Sequence, residues 1–348
     1  MLLAHSSQCF LPPLRTFPKV SIKLAFTTIR KMASSPTNLS FDIPRGDLDS
    51  FHAHLRNSTR VLALCGAGLS ASSGLPTFRG AGGLWRTHDS ISLATPQAFA
   101  ADPGLVWQFY GYRRHMALQA QPNPAHYALA ELARKMPGFQ CLSQNVDGLH
   151  QRSEHPRVQL QLLHGTLFEL ACADKRGCGY VRVDFEDPLV PKLAIPTSGV
   201  DFTSNEARQQ TSLDISDAAI PLPKLTANDL PKCPKCKKAL LRPGVVWFGE
   251  QLPFSVIDTV DAYISDSAPI DLILVIGTSA KVYPAAGYVE EAREKGARVA
   301  VINMDQNDVP AGGWEDGDWF FVGDAAKIVP KLLRPVIGEL ETPKYRAF

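Results

Sequence analysis

Five apolar, β-branched runs, at 60–65, 139–143, 271–276, 298–303 and 319–322, are scarcely interrupted by polar residues. Unbroken runs of this length suit strands covered on both faces, as in a parallel sheet. Stretches with helical spacing fall at 47–57, 105–119, 125–136, 285–295 and 325–333. The one at 125–136 carries its own start signal, Asn123 as cap and Pro124 at the first helical position. Strand and helix alternate, which predicts an α/β fold: a Rossmann-like, doubly wound parallel sheet.

Two insertions break the alternation and predict a smaller inserted domain, partly helical (86–138) and partly a cysteine-bearing module (166–242). Within the module, 184–230 is rich in Pro, Ser, Thr and Asp, without clear periodicity, and reads as an extended loop. A large part would then comprise 42–85, 139–165 and 243–335, giving one composite unit over 42–335 with a tail at 336–348.

The first strand runs directly into Gly66-Ala67-Gly68-Leu69-Ser70-Ala71. A glycine turn at the end of a buried strand aims backbone amides at a phosphate and fits the G-x-G-x-x-G/A pattern of dinucleotide sites. An ordinary dehydrogenase would continue into a helix and a second strand with an acid about 20 residues on. Here Gly74, Pro76, Gly80, Gly82 and Gly83 punctuate an aperiodic segment, so a long loop crosses the nucleotide region.

Charge narrows the partners. With 36 basic and 34 acidic residues the net charge is +2, too little to hold nucleic acid or an anionic membrane by field alone. No run of about 18 or more apolar residues suggests a membrane span. Of seven cysteines, Cys172, Cys178, Cys233 and Cys236 fall in two pairs, a pattern of metal ligation rather than of disulfides. Cys233-Pro234-Lys235-Cys236 is a CxxC knuckle suited to Zn²⁺; four thiolates and no open position would make the ion structural. Residues 1–41 contain Arg15, Lys19, Lys23, Arg30 and Lys31 and no acid before Asp42, the composition of a mitochondrial transit segment. Met32 offers an internal start that would leave a cytoplasmic and nuclear form.

The stretch GAGLSASSGLPTFRG from Gly66 resembles the signature of the sirtuins, NAD-consuming protein-lysine deacylases. Further blocks follow in the family's order: Gln144-Asn145-Val146-Asp147, Leu163-His164-Gly165, Gly277-Thr278-Ser279 and Ile302-Asn303. The resemblance implies that NAD is a co-substrate consumed in each turnover and that the partner is an acylated lysine protein or peptide. It gives His164 the role of general base on the nicotinamide ribose, with Asn145 and Asp147 ordering that end of NAD. The acyl oxygen attacks the ribose as nicotinamide leaves, giving an alkylimidate and finally free lysine and O-acyl-ADP-ribose.

The same resemblance places NAD against Gly66, Ala67, Gly68, Ser70, Pro76, Thr77, Phe78, Arg79, Trp85, Gln144 and Val146. The adenosine end would rest on Gly277, Thr278, Ser279, Asn303, Met304, Asp305 and Ala325. Val246, Phe248, Gly249 and Glu250 resemble the segment that receives the substrate peptide by strand addition. In the first cysteine pair five residues intervene where the family usually has two, so that knuckle must bulge.

Tyr110 and Arg113, three apart on one predicted helix face, resemble the YxxR pair of the desuccinylase, or class III, branch. Burying a substrate carboxylate is costly unless a charge pairs with it, and an arginine fork with a phenol hydroxyl supplies that pairing. Ala94 matches the small residue that widens the acyl pocket in this branch. Arg114 is then expected to face solvent. The reading that follows is removal of malonyl, succinyl or glutaryl groups. A deacetylase, a mono-ADP-ribosyltransferase of the same fold and a silent NAD- and zinc-binding protein are the alternatives.

Overall fold

The computed structural model describes residues 43–77, 83–196, 213–279, 283, 285–305, 308–309 and 312–340, all within one unit spanning Phe41–Phe348. Phe78 and Arg79, and the basic segment 1–41, lie outside the described residues. No helix among those described is long and apolar enough to cross a membrane.

In chain order the strands are β1 (Val61–Cys65), β2 (Leu84–Trp85), β3 (His88–Asp89), β4 (Phe139–Ser143), β5 (Leu160–Leu162) and β6 (Gly165–Cys172). They continue as β7 (Val181–Val183), β8 (Leu241–Val245), β9 (Leu272–Ile276), β10 (Arg298–Asn303) and β11 (Trp319–Val322). The helices are α1 (Arg45–Asn57), α2 (Ser90–Leu93), α3 (Pro96–Ala101), α4 (Pro103–Gln119) and α5 (Pro124–Lys135), then α6 (Leu149–Arg152), α7 (Phe254–Ser265), α8 (Gly287–Glu294) and α9 (Ala325–Ile337).

Six strands form one parallel sheet in the order β11-β10-β9-β1-β4-β5. The chain leaves β1 to build one side and returns to build the other, so the sheet is doubly wound and its winding reverses beside β1. Cys65 pairs with both Ser143 and Ile276, which brings three strand exits level at the carboxyl edge.

Alternation along each strand sends Val61, Ala63, Leu272 and Leu274 to a core shared with α1, α5 and α9, and Leu62, Leu64, Ile273 and Val275 to one shared with α7 and α8. Both faces are therefore apolar, which is why these strands read as continuous runs. The α9 helix runs past the boundary drawn at 335 and holds Pro330 and Pro335 in its interior. Each proline costs about 3 kcal/mol in a helix interior. Burial of Ile328, Val329, Leu332, Leu333 and Ile337 offsets this at about 1.5–3 kcal/mol per side chain.

The smaller part has its own core, which gathers Trp107, Phe109 and Tyr110 of α4 with Leu167, Phe168 and Leu170 of β6 and with Trp247. Its sheet is antiparallel, β7-β6-β8, and β6 begins directly after His164. Among the described residues of 184–230, only a single turn of 3-10 helix, Pro191–Leu193, interrupts the loop.

Candidate active site

The ends of the sheet strands and the wall of the smaller part enclose a cavity of about 920 Å³, within the size range of small-molecule sites. Every strand of the parallel sheet delivers a residue to it at or just beyond its carboxyl end. Ala67 and Gly68 follow β1, Gln144 to Asp147 follow β4, His164 follows β5, Gly277 to Ser279 follow β9, and Asn303 to Asp305 close β10. Gly323, Asp324 and Ala325 extend the row beyond β11, and Pro76 and Thr77 enter from the loop.

The β1 and β9 turns interlock. Gly68 N–H donates to Gly277 O at 2.8 Å, and a Cβ at Gly66 would stand 2.5 Å from Thr278 Cβ. A Cβ at Gly68 would meet Gly277 Cα at 2.7 Å, and Gly277 itself has φ +60°. These glycines are required by the approach of one turn to the other, before any ligand enters. Gly66 does not line the cavity; its carbonyl instead accepts from the Asn145 amide at 2.9 Å.

Asn145 also donates to Ser70 Oγ at 3.3 Å, and Ser70 donates to Asp147 Oδ2 at 2.7 Å. Asp147 Oδ1 accepts the N–H of Leu149 at 2.9 Å. Burial nevertheless raises the Asp147 carboxyl above the usual range, against the pull of these bonds and of Arg113 and Arg152. Asn303 Nδ2 donates to Asp308 Oδ2 at 2.7 Å, and Ser72 donates to Asp324 Oδ1 at 2.6 Å, so this adenosine-side rim is already braced.

His164 is half-buried, and its Nδ1 lies 3.0 Å from Gln144 O. That bond assigns the proton to Nδ1 and leaves Nε2 with a lone pair. Burial lowers the His164 pKa, partly offset by the bond to Gln144. The ring is thus neutral near pH 7 and able to accept a proton.

The opposite wall comes from the smaller part: Ala94, Tyr110 and Arg113, with Met116, Leu167 and Trp247 supplying apolar surface. Tyr110 is fully buried, its hydroxyl has no hydrogen-bond partner, and burial raises its pKa against the nearby Arg113. Arg113 is half-buried, its charge 5.8 Å from the Tyr110 ring centre, and desolvation lowers its pKa while Tyr110 and Asp147 oppose the shift.

Arg114 does not face solvent. It is 2% exposed and donates to the carbonyls of Leu167, Asp184 and Glu186, while its guanidinium stands 3.4 Å from the Asp184 carboxylate. The module closes over Arg114, whereas Arg113 keeps a face toward the cavity. Trp85, too, is not brought to the cavity: it is 3% exposed in the core of the smaller part, edge-on to Phe109.

Val246, Phe248, Gly249 and Glu250 line the cavity mouth. Val246 N–H donates to His164 O at 3.0 Å and Phe248 N–H to Ala94 O at 2.9 Å, so these amides tie the segment to both walls. The Glu250 carboxylate is taken by an Arg242 fork at 2.7 and 2.8 Å, by Lys175 and by the Trp247 N–H. Although burial opposes it, these partners hold the Glu250 pKa at about 2, and the residue acts as an anchor of the segment.

At the far end of β6 the sulfurs of Cys172, Cys178, Cys233 and Cys236 lie within 4.8 Å of one another. Two of the separations are 3.8 Å (Cys172 to Cys236) and 3.6 Å (Cys178 to Cys233). Tetrahedral Zn–S bonds of about 2.3 Å require S···S separations of about 3.8 Å, so the cluster fits a structural zinc. The bulge in the first pair is a turn: Asp174 accepts from Gly177 N at 2.8 Å and Cys178 N donates to Asp174 O at 3.1 Å, drawing the two thiols together. Cys172 lies eight residue steps along β6 from His164, roughly 25 Å, so this ion takes no part in chemistry at the histidine.

A doubly wound sheet with a nucleotide-sized cleft at its carboxyl edge, a buried Asn-Asp-His constellation and a zinc-binding insertion define an NAD-binding protein of the Sir2 type. The Sir2 family model matches residues 66–284, and the chain belongs to that family. It is 45% identical over 304 residues to an NAD-dependent protein deacylase of Candida albicans, covering 84% of this chain and 99% of that protein. It is 36% identical over 333 residues to the mitochondrial NAD-dependent protein deacylase sirtuin-5 of Canis lupus familiaris, covering 93% and 97%. A Sir2 homologue solved with NAD superposes with a TM-score of 0.64 at 34% identity, over 85% of this chain and 94% of that one.

Proposed function

We propose that this chain is an NAD-dependent protein-lysine deacylase acting on acidic acyl groups, malonyl, succinyl or glutaryl. The observation that carries the acyl class is the buried, unpartnered Tyr110 hydroxyl beside the desolvated Arg113 guanidinium in an otherwise apolar wall. A ligand carboxylate would accept from both groups and restore the solvation that burial removed. An acetyl group has no oxygen to offer there, and Ala94 leaves room for the longer chain.

His164 Nε2 would take the proton of a ribose hydroxyl, its ring held by the Gln144 carbonyl. Asn145 and Asp147, fixed through Ser70 and Gly66, would hold the nicotinamide end, and the interlocked β1 and β9 turns would carry the phosphates and adenosine. The acyl-lysine backbone would lie along 246–250. One water, consumed as the lysine nitrogen leaves the acyl carbon, would complete the products: free lysine, nicotinamide and O-acyl-ADP-ribose. We also place the protein in mitochondria, on the basic composition of 1–41 and the mitochondrial names of its sirtuin-5 relatives.

The test is a panel of acetyl-, malonyl-, succinyl- and glutaryl-lysine peptides incubated with NAD and followed by mass spectrometry. Higher kcat/KM for the acidic groups is expected; equal or better acetyl turnover would replace this reading by a deacetylase. Transfer of label from NAD onto protein would replace it by an ADP-ribosyltransferase.

A further inference from the structure

Behind the catalytic loop lies a second cluster of sulfur and imidazole that the deacylase chemistry does not use. Cys65 ends β1, Cys141 lies in β4, and His150 lies in α6. The two cysteines are fully buried and His150 is 1% exposed. Their ligand atoms all fall within 4.8 Å of one another, and the two sulfurs are 3.8 Å apart, the separation seen between Cys172 and Cys236 in the zinc cluster. Both ring nitrogens of His150 have no hydrogen-bond partner. A fully buried imidazole normally satisfies at least one nitrogen, so an orphaned ring facing two thiols points to a missing ligand.

We propose that Cys65, Cys141 and His150 form a second metal site, for a thiolate- and imidazole-seeking ion, with Zn²⁺ the species the charges favour. Two thiolates neutralise Zn²⁺, so the buried complex carries no net charge, whereas Cu⁺ on the same pair would leave an uncompensated anion in the core. Binding displaces the two thiol protons to solvent, and no electron transfer is involved. A neutral His150 supplies a nitrogen lone pair.

The surroundings define what else can join. His126 lies edge-on to His150 with ring centres 5.1 Å apart, but its Nδ1 accepts the Asn123 N–H at 3.2 Å. Its proton is therefore on Nε2, which has no partner, so His126 is a hydrogen-bond donor at the edge of the site and not a ligand. His155, buried with its ring 5.7 Å from that of His150, stands outside the group of close ligand atoms, so the protein supplies three ligands. An ion here ties the end of β1 and the middle of β4 to α6. It would brace from behind the Gln144 to Gly148 loop, whose first amide already donates to Cys65 O at 2.9 Å.

The experiment uses full-length protein produced in zinc-supplemented medium, freed of loose metal and measured by elemental analysis and X-ray absorption at the zinc edge. Two equivalents per chain are expected, with mixed scattering from sulfur at about 2.3 Å and nitrogen at about 2.0–2.1 Å. A Cys65→Ala/Cys141→Ala variant should lose one equivalent and return the spectrum to sulfur alone. Should the double variant fail to fold, the wild-type spectrum still decides. One equivalent with sulfur-only scattering in the wild type would overturn the proposal.

Discussion

The two halves of the cavity are built from different materials. The sheet side is made of strand exits, and its geometry is held by main-chain bonds such as Gly68 N–H to Gly277 O and Gly66 N–H to Ile276 O. The opposite wall is made of side chains, Ala94, Tyr110, Arg113 and Trp247, brought together by a core that also contains Cys172, Cys178 and Cys233. A nucleotide presents the same groups to every member of the fold and can be met by backbone. An acyl group varies, and only side chains can select it. Polar atoms follow the same division: on the sheet side Asn145, Asp147 and Ser70 satisfy one another, while Tyr110 on the wall is left unpaired.

The strongest way to break the sheet side is His164→Ala. Loss of a general base costs about 10²–10⁴-fold in kcat, and the loss should be alike for every acyl peptide, measured by steady-state kinetics. Removing the ion from the four-cysteine cluster should break only the wall. Trp107 and Trp247 share its core, so chelation should shift tryptophan emission to the red and abolish turnover, while far-UV circular dichroism from the sheet side persists. Coincident loss of both signals would mean that the halves are one cooperative unit.

Arg113→Met should separate the halves within a single active protein. Loss of a charged hydrogen bond, about 1.5–3 kcal/mol, predicts roughly 10- to 150-fold lower kcat/KM for succinyl peptide and an unchanged or higher value for acetyl peptide. An equal fall for both would assign Arg113 to the NAD side instead. Tyr110→Phe removes a neutral donor, about 0.5–1.5 kcal/mol, and should cost roughly 2- to 12-fold with the same selectivity.

The smallest effect is that of pH. As the proposed base His164 must be neutral to act, and its pKa in the fold is below the ordinary 6.5, so the acid limb of kcat/KM should be centred below pH 6.5 on its account. It should fall tenfold per unit only below that lowered value. An acid limb centred above 6.5 would refute the buried, Gln144-bonded state of the ring.

The sheet was the legible part of the sequence. The strands at 139–143, 298–303 and 319–322 are found at those residues, because strands buried on both faces write themselves as unbroken apolar runs. The edge strand Leu160–Leu162 has three residues, too few to show any period, and α7 escaped notice among mixed polar positions. The glycine and QNVD blocks meet because strand exits of a parallel sheet share one edge. The structure moves Arg114 and Trp85 from where the sequence put them for a common reason. Each lies in the wall, where neighbours come from distant segments: Arg114 meets Asp184 and Trp85 meets Phe109. Spacing within one helix or loop carries no record of such partners.

By itself the sequence determined the parallel sheet, the glycine turns, the zinc-type cysteine pairs and the family to which they belong, since all of these are local patterns repeated along the chain. Only the tertiary structure decided that Arg113 reaches the cavity while Arg114 anchors the module, and that Cys65 and Cys141 converge on the unpartnered ring of His150. The physical reason is the range of the forces involved. Periodicity and turn chemistry act over a few residues, whereas burial, ion pairing and hydrogen-bond satisfaction depend on whatever part of the chain folds back against them.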